Sequence, residues 1–319
     1  MMTHDTGQVA CTATLRGIDS LIAHVRDKAP IRMAVVHPCD ALSLGGAVDA
    51  HAAGVITPVL VAPAARLRQA AADADLDISG FDIVDVPHSH AAAAIAAQLA
   101  GKGEVQALMK GSLHSDEYLG AILAPEVGLR TERRLSHCYV MQIASYPRPF
   151  IITDAAINIA PTLEDKADIV RNAISLAHVI GVAEPRVAIL AAVETVNPRM
   201  QATLDAAALC KMVDRRQIMG GLLDGPLAFD NAVSPQAARV KNIHSPVAGR
   251  ADVLVVPDLQ SGNMLAKQLE ILGGAESAGI VMGARVPIVL TSRSDSRMTR
   301  LASCAIALML AERYLLVPP

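Results

Sequence analysis

Three short segments of the chain place glycine and hydroxyl residues directly after apolar runs, where a strand would end and a helix begin. They are Met109-Lys110-Gly111-Ser112-Leu113-His114-Ser115-Asp116, Pro257-Asp258-Leu259-Gln260-Ser261-Gly262-Asn263 and Thr291-Ser292-Arg293-Ser294-Asp295-Ser296. A helix N-terminus offers unpaired N–H groups and the positive end of its dipole, so junctions of this form can seat anions. Lys110 and Arg293 add a cation to the first and third. Lys110, Ser112, His114, Ser261, Gly262, Asn263, Thr291, Ser292 and Arg293 are therefore candidate contacts for a phosphate or a phosphorylated cofactor. The same residue types cap helices with no ligand present, and for any one junction that reading serves as well.

Other polar groups are open in the same way. Arg130, Arg133 and Arg134 form either a solvated face or a phosphate clamp. Asp224 and Asp230 lie six residues apart; turn chemistry explains the first, while Asp230, beside Asn231, can orient a substrate or act as a base. Glu194-Thr195-Val196-Asn197 is ambiguous in the same sense. His37-Pro38-Cys39-Asp40 invites a nucleophile reading, but neighbouring side chains at a strand end seldom face each other. No phosphate-loop signature occurs, and Gly101-Lys102-Gly103 lacks the third glycine of a dinucleotide fingerprint. Gly45-Gly46 is explained by tight packing. No ligand spacing for a protein-bound metal is present.

These residues must be held by a core with almost no aromatics. The chain has 319 residues, 52% of them hydrophobic but only 2% aromatic, with no Trp. Aliphatic side chains and alanine then build the interior, and small side chains favour layered α/β packing. The length suits two domains or one large α/β unit. No apolar run of about 18 residues exists, which excludes a membrane span, and the first residues lack a signal pattern. The formal net charge of −3 argues against a nucleic-acid partner, and the composition excludes disordered, fibrous and secreted-scaffold classes. Five cysteines without C-x-x-C spacing suggest a reduced, cytoplasmic protein.

The hydrophobic pattern places strands at 31–36, 56–62, 81–86 and 105–109, with helices at 43–53, 64–74 and 90–100 between them, a βαβ series that implies a parallel sheet. Within the alanine tract, Ile95 and Leu99 mark an apolar helix face. The stretch 130–149, with its arginines and prolines, reads as a loop crossing between domains. Thr162 with Asp165 forms a capping box for a helix whose face carries Ala167, Val170, Ile174 and Ala177, closed by Gly181. A strand is expected at 186–193, a helix at 204–213 capped by Thr203, and a loop at 220–231. A strand at 252–256, a helix at 264–272, strands at 279–282 and 286–290 and a helix at 297–313 follow.

The blocks MKGSLHSDE (109–117), GLRTERRLSH (128–137), LDGPLAFDNA (223–232), PDL-x-x-GNML-x-K (257–267) and LTSR-x-DS (290–296) resemble the phosphate acetyl/butyryltransferase family. The likeness runs from about residue 105 to 305 and is closest to members found fused to enoyl-CoA hydratase domains. A chain of this length is too short for that domain and the whole transferase. The resemblance implies two α/β domains of the isocitrate/isopropylmalate dehydrogenase type, with parallel or mixed sheets and a site in the interdomain cleft. Residues 1–136 with 288–319 would form one domain and 137–287 the other. It also implies a homodimer, with acyl-CoA and orthophosphate as substrates and no tightly bound cofactor.

The reaction so implied is acyl-CoA plus orthophosphate giving acyl phosphate plus CoA, by direct attack without an acyl-enzyme. Ser292 and Arg293 match the family's Ser-Arg pair: Ser292 would hydrogen-bond the thiol or carbonyl, and Arg293 would meet the developing charge. Acetyl-specific members carry an aspartate seven residues after that serine, where this chain has Thr299. Either Asp295, or a carboxylate from a facing loop such as Asp230, is then the base, or the base is dispensable. Lys267 falls within a family block, but the arginine expected one turn beyond it is replaced by Glu270 and Ile271. Acetyl transfer is the first expectation and butyryl transfer the second. An NAD(P)-dependent oxidoreductase on the same fold, or a non-catalytic CoA-binding protein, is the alternative from another class.

Overall fold

The computed structural model describes residues 17–292 and 295–319. Its first part contains α1 (Ile18–Val25), β1 (Ile31–Val36), α2 (Ala41–Ala52), β2 (Ile56–Ala62), α3 (Ala64–Asp73), β3 (Asp82–Asp85), α4 (Ser89–Gly101), β4 (Ala107–Lys110) and α5 (Ser115–Ile122). The second part contains β5 (Ser136–Gln142), β6 (Phe150–Thr153), α6 (Leu163–Val179), β7 (Arg186–Leu190), α7 (Gln201–Asp214), β8 (Leu222–Leu227), α8 (Phe229–Val233), α9 (Pro235–Val240), β9 (Val253–Val255), α10 (Leu259–Ile271) and β10 (Glu276–Met282). β11 (Ile288–Val289) and α11 (Arg297–Leu316) complete the order.

Among the described residues all the strands join one eleven-stranded sheet, in the order β3-β2-β1-β4-β11-β10-β5-β6-β9-β7-β8. Two parallel blocks, β3-β2-β1-β4-β11 and β6-β9-β7-β8, are the signature of βαβ crossovers. Between them, β11-β10-β5-β6 run antiparallel. The seven-residue ladder from Glu276↔Gln142 to Met282↔Ser136 is the seam between the blocks. The fold is thus the mixed α/β class expected.

Strand side chains alternate between faces. On the first face one continuous core runs under α1, α2, α6, α7 and α11, with Met33, Leu60, Met109, Val140, Ile189 and Ile280 among its members. The second face carries two separate cores. One packs α4 and α5 on β1, β2 and β4, and the other packs α8 to α10 on β5 to β9. Between them, over β10 and β5, lie Ser277, Gly279 and the buried His137. A polar interval is thereby left above the seam. Small side chains do the packing: Ala92, Ala93, Ala96, Ala97 and Ala100 form the buried face of α4, while Ile95 and Leu99 only flank it.

Local signals mostly hold. Thr162 and Asp165 make the reciprocal capping box of α6, whose expected face is buried. Four expectations change. The loop at 130–149 contains β5, and the loop at 220–231 contains β8. Met200, not Thr203, precedes α7; the Thr203 hydroxyl accepts from the Asn197 N–H at 2.9 Å and donates to the Met200 carbonyl at 2.8 Å. α10 starts at Leu259, five residues earlier than expected, because Asp258 caps it through the Ser261 N–H at 2.8 Å.

Candidate functional site

In a parallel sheet, ligands settle beyond the carboxyl ends of the strands where the winding direction reverses. Here β1 has β2 on one side and β4 on the other, so the reversal lies between β1 and β4. Directly beyond these two ends is a cavity of about 470 Å³ lined by Asp40–Ser43 of the α2 start, Lys110–Ser112, Thr291, Ser292 and Arg300. Because β11 pairs in parallel with β4, the loop after β11 is carried beside the loop after β4. Two of the three junctions named from sequence therefore meet in one place. Arg293 lies outside the described residues, as does Ser294.

The strand ends are stitched tightly. Gly111 N–H donates to the Val36 carbonyl and Ser112 N–H to the His37 carbonyl, both at 2.9 Å. The Ser112 hydroxyl donates to the His37 carbonyl at 2.8 Å and accepts from the Cys39 N–H at 3.2 Å. Ser112 thus ties the two loops together while lining the cavity. The Ser292 N–H donates to a carboxylate oxygen of Asp295 at 2.6 Å. Sequence reasoning missed Arg300. Its head reaches the cavity floor, donating to the Thr291 hydroxyl at 3.1 Å and the Ser292 carbonyl at 2.8 Å. Its stem crosses α2 where a Cβ on Gly46 would lie 3.0 Å from its Cδ. A signal was present, since Arg300 shares a helix stripe with the buried Cys304, Ala307 and Ala311.

Next to the cavity, over the polar interval, stand the charges of α10. The Lys267 ammonium lies 2.9 Å from Glu270, which accepts the Ser277 hydroxyl with its other oxygen at 2.7 Å. Burial raises the Asp295 carboxyl above its ordinary value. The Ser292 N–H and the Lys267 and Arg300 charges oppose that rise, and Glu270 adds to it. A carboxylate held up in this way is a stronger base than a solvated one. His137, beneath, is driven down to about 4, first by burial and further by Lys267, against the pull of the Leu290 carbonyl.

That depression makes a pH prediction. Between pH 6.5 and about 4 the unfolded chain takes up a proton that folded His137 refuses, so stability is full above pH 6.5 and falls as the pH drops. The expected contribution reaches about 3 kcal/mol at about 1.4 kcal/mol per pH unit. Urea midpoints at pH 7 and pH 4.5 should differ less in His137→Gln than in the parent chain. An equal loss in both refutes the assignment.

The remaining candidates are placed as follows. Ser261, Gly262 and Asn263 lie in the first two turns of α10, where Ser261 bonds Asp258 and Asn263 donates to the Ala155 carbonyl at 3.2 Å. A Cβ on Gly262 would strike Val256 and approach the Asp154 carbonyl, so glycine there serves packing. His114 is exposed at the start of α5. Arg130 is exposed and donates to the Leu123 carbonyl, and Arg133 donates to Ser175 of α6 at 3.2 Å. Arg133 lines a separate cavity with Arg313 and Tyr314, ten or more residues along α11 from Arg300. That is about 15 Å of helix at 1.5 Å per residue, so the arginine cluster is not brought to the Ser292 cavity. Arg134 pairs with Asp165 at 3.1 Å. Asp230 is exposed on α8, and the buried Asn231 donates to Glu194, which pairs with Lys241 at 3.1 Å; this group belongs to the outer end of the second block.

The four described cysteines are not activated. Burial raises the Cys39 thiol and lowers His37, and the His37 ring faces Ser112 at 3.3 Å. Cys138, Cys210 and Cys304 are all pushed up to about 12 by burial. Among the described residues no group of three or more His, Cys, Asp or Glu could hold a metal ion, and no helix is long and apolar enough to cross a membrane.

A family model described as phosphate acetyl/butaryl transferase matches residues 88–308. A phosphate acetyltransferase of Rhizobium meliloti is 59% identical over 92% of this chain and 93% of its own length. A phosphate butyryltransferase of Clostridium acetobutylicum is 38% identical over 93% and 99%. Among solved structures, a branched-chain phosphotransacylase from Enterococcus faecalis superposes with a TM-score of 0.78 at 30% identity, covering 88% of this chain and 99% of that one. A 4-hydroxythreonine-4-phosphate dehydrogenase from Klebsiella pneumoniae reaches a TM-score of 0.54 at 13% identity, over 89% and 98%, a likeness of fold alone.

Proposed function

The chain belongs to the phosphate acetyl/butyryl transferase family, and on that premise we propose that it interconverts acetyl-CoA plus orthophosphate with acetyl phosphate plus CoA. The observation that carries this reading is the family match, with 59% identity to an acetyltransferase over 92% of this chain. The convergence of the Lys110 and Ser292 loops on one cavity supports it. Butyryl transfer is the alternative, since butyryl is longer by two methylenes and each changes binding in an apolar pocket by only about 1–3 kcal/mol.

In the direction of acyl phosphate formation, an orthophosphate oxygen adds to the thioester carbonyl carbon. The tetrahedral intermediate then collapses, breaking the C–S bond and releasing CoA, whose sulfur takes up a proton. In reverse, Asp295 takes the thiol proton, a task suited to a carboxyl raised by burial. The Ser292 hydroxyl orients the thiol or carbonyl and Arg293 stabilises the developing oxyanion. Asp230, exposed on α8, is the second candidate for the base. Lys110, Ser112 and Thr291 line the phosphate side, and Lys267 adds positive charge beside Asp295. We read residues 1–136 with 288–319 and residues 137–287 as two α/β domains, a division supported by β1–β4 and β11 forming one side of the sheet. A homodimer is supported by Met264 and Ile271 of α10 and Leu272 at its C-cap, 64%, 74% and 80% exposed. A cytoplasmic location fits the free thiols at Cys39, Cys138, Cys210 and Cys304.

Arsenolysis tests the activity, because arsenate replaces phosphate and the acyl arsenate hydrolyses. CoA release from acetyl-CoA should depend on arsenate and exceed that from butyryl-CoA. Arg293→Ala should lower it at least about tenfold. Release from neither thioester sinks the reading, and unchanged turnover in the variant removes Arg293 from the site.

A further inference from the structure

We propose that Arg300, with Lys110 and the opening N–H groups of α2, forms a seat for a phosphate-type dianion of the substrates, an inference that rests on the acyl transfer reading above. Arg300 is only 5% exposed, yet no carboxylate among the described residues lies within ion-pair distance of it. A buried guanidinium with no carboxylate in ion-pair contact is costly; Asp295 feels its charge but does not pair with it. Its two hydrogen bonds go to neutral oxygens, on Thr291 and Ser292, and leave other N–H donors of the five available.

The nearby carboxylates are engaged elsewhere. Asp295 turns to the Ser292 N–H, and Asp40, which lines the cavity, accepts the Ser43 N–H at 2.8 Å. Ala41 and Leu42, whose N–H groups have no partner within the helix, line the same cavity. Lys110 stands on its wall. Two cations and a helix N-terminus thus surround a space large enough for a phosphate group, and the planar donor fork of arginine suits its oxygens. The group seated is either orthophosphate or the 3′-phosphate of CoA.

Arg300→Gln keeps a donor for the Thr291 loop and removes the charge. Three readings are compared with the parent chain: KM for arsenate, KM for CoA against 3′-dephospho-CoA, and the rise of Tm with orthophosphate. If orthophosphate sits here, KM for arsenate should rise at least tenfold with CoA unaffected, and the phosphate-induced rise of Tm should vanish. If the 3′-phosphate sits here, CoA should become as weak as 3′-dephospho-CoA with arsenate unaffected. Arg300→Lys should restore part of either loss. A fall in kcat with both KM values within twofold overturns the seat and leaves Arg300 as a positioning residue for the loop. Should Arg300→Gln fail to fold, Lys110→Met carries the same test; unchanged KM values and Tm response there overturn the seat. If the parent chain transfers no acyl group, the activity reading fails on its own, and orthophosphate or CoA that leaves the Tm of the parent unmoved then overturns the seat separately.

Discussion

Gly111→Ala should cost about 1–3 kcal/mol of stability and lower arsenolysis by about 10²-fold. A Cβ at this position would collide with the Val36 carbonyl oxygen and lie 2.7 Å from the His37 carbonyl carbon and oxygen. Those are backbone atoms, held by the same two hydrogen bonds that join the loop after β4 to the end of β1. No side chain can swing away, so the overpacking must move one strand end against the other. Such a shift carries Lys110 and Ser112 away from Arg300 and Thr291 across the cavity. A displacement near 1 Å at a positioned site is worth about 10²-fold in rate. Gly120→Ala is the control, because nothing lies within 4 Å of its new methyl. Urea midpoints and kcat/KM of the two variants decide the matter, and parent-like values for Gly111→Ala would refute the stitching.

The second large effect concerns the scaffold. Lys166 of α6 and Asp205 of α7 meet at 2.6 Å, each side chain only 6% exposed, and Asp205 also accepts from Gln201 at 2.8 Å. Removing one partner strands the other, so Asp205→Ala should cost about 3–5 kcal/mol. The pair packs on the far block of the sheet, so kcat per folded molecule should stay within about twofold. The double variant Lys166→Met with Asp205→Leu should recover most of the loss, since a well-packed apolar pair replaces a buried ion pair at little cost. A midpoint unmoved by Asp205→Ala would show the pair to be dispensable. Together the two variants separate site from frame, since one should lose rate and stability and the other stability alone.

The sequence was most legible where a strand is buried on both faces and a helix is capped by its own side chain. β1 and β2 begin and end where the apolar runs do, and Thr162 with Asp165 marks α6. β5 was hidden because it opens with Ser136 and His137, polar residues that are buried, between the arginines before it and the prolines after it. β8 was hidden because Asp224-Gly225-Pro226 spells a turn. It is an edge strand with a single neighbour, where a proline removes no needed donor and Gly225 lets the chain pass close to Ile189. The meeting of Lys110 with Ser292 could not be read from local pattern. It depends on β11 inserting beside β4, about 180 residues away in the chain. The family resemblance supplied the function, whereas the placement of Arg130 and Arg133 away from that cavity came only from the fold.

The condition of the thiols has a chemical consequence. Thioesters and acyl phosphates are acylating reagents, and any ionised cysteine within reach competes for them. At pH 7 a thiol near 12 is ionised to roughly one part in 100,000. Cys138 on β5 and Cys304 on α11 are also fully buried, and Cys39, beside the cavity-lining Asp40, is raised by burial rather than activated. The described cysteines are thus poor acyl acceptors, and the low dielectric of an aliphatic interior gives the chain a built-in chemoselectivity: the reactive sulfur in the cleft is the one the substrate brings.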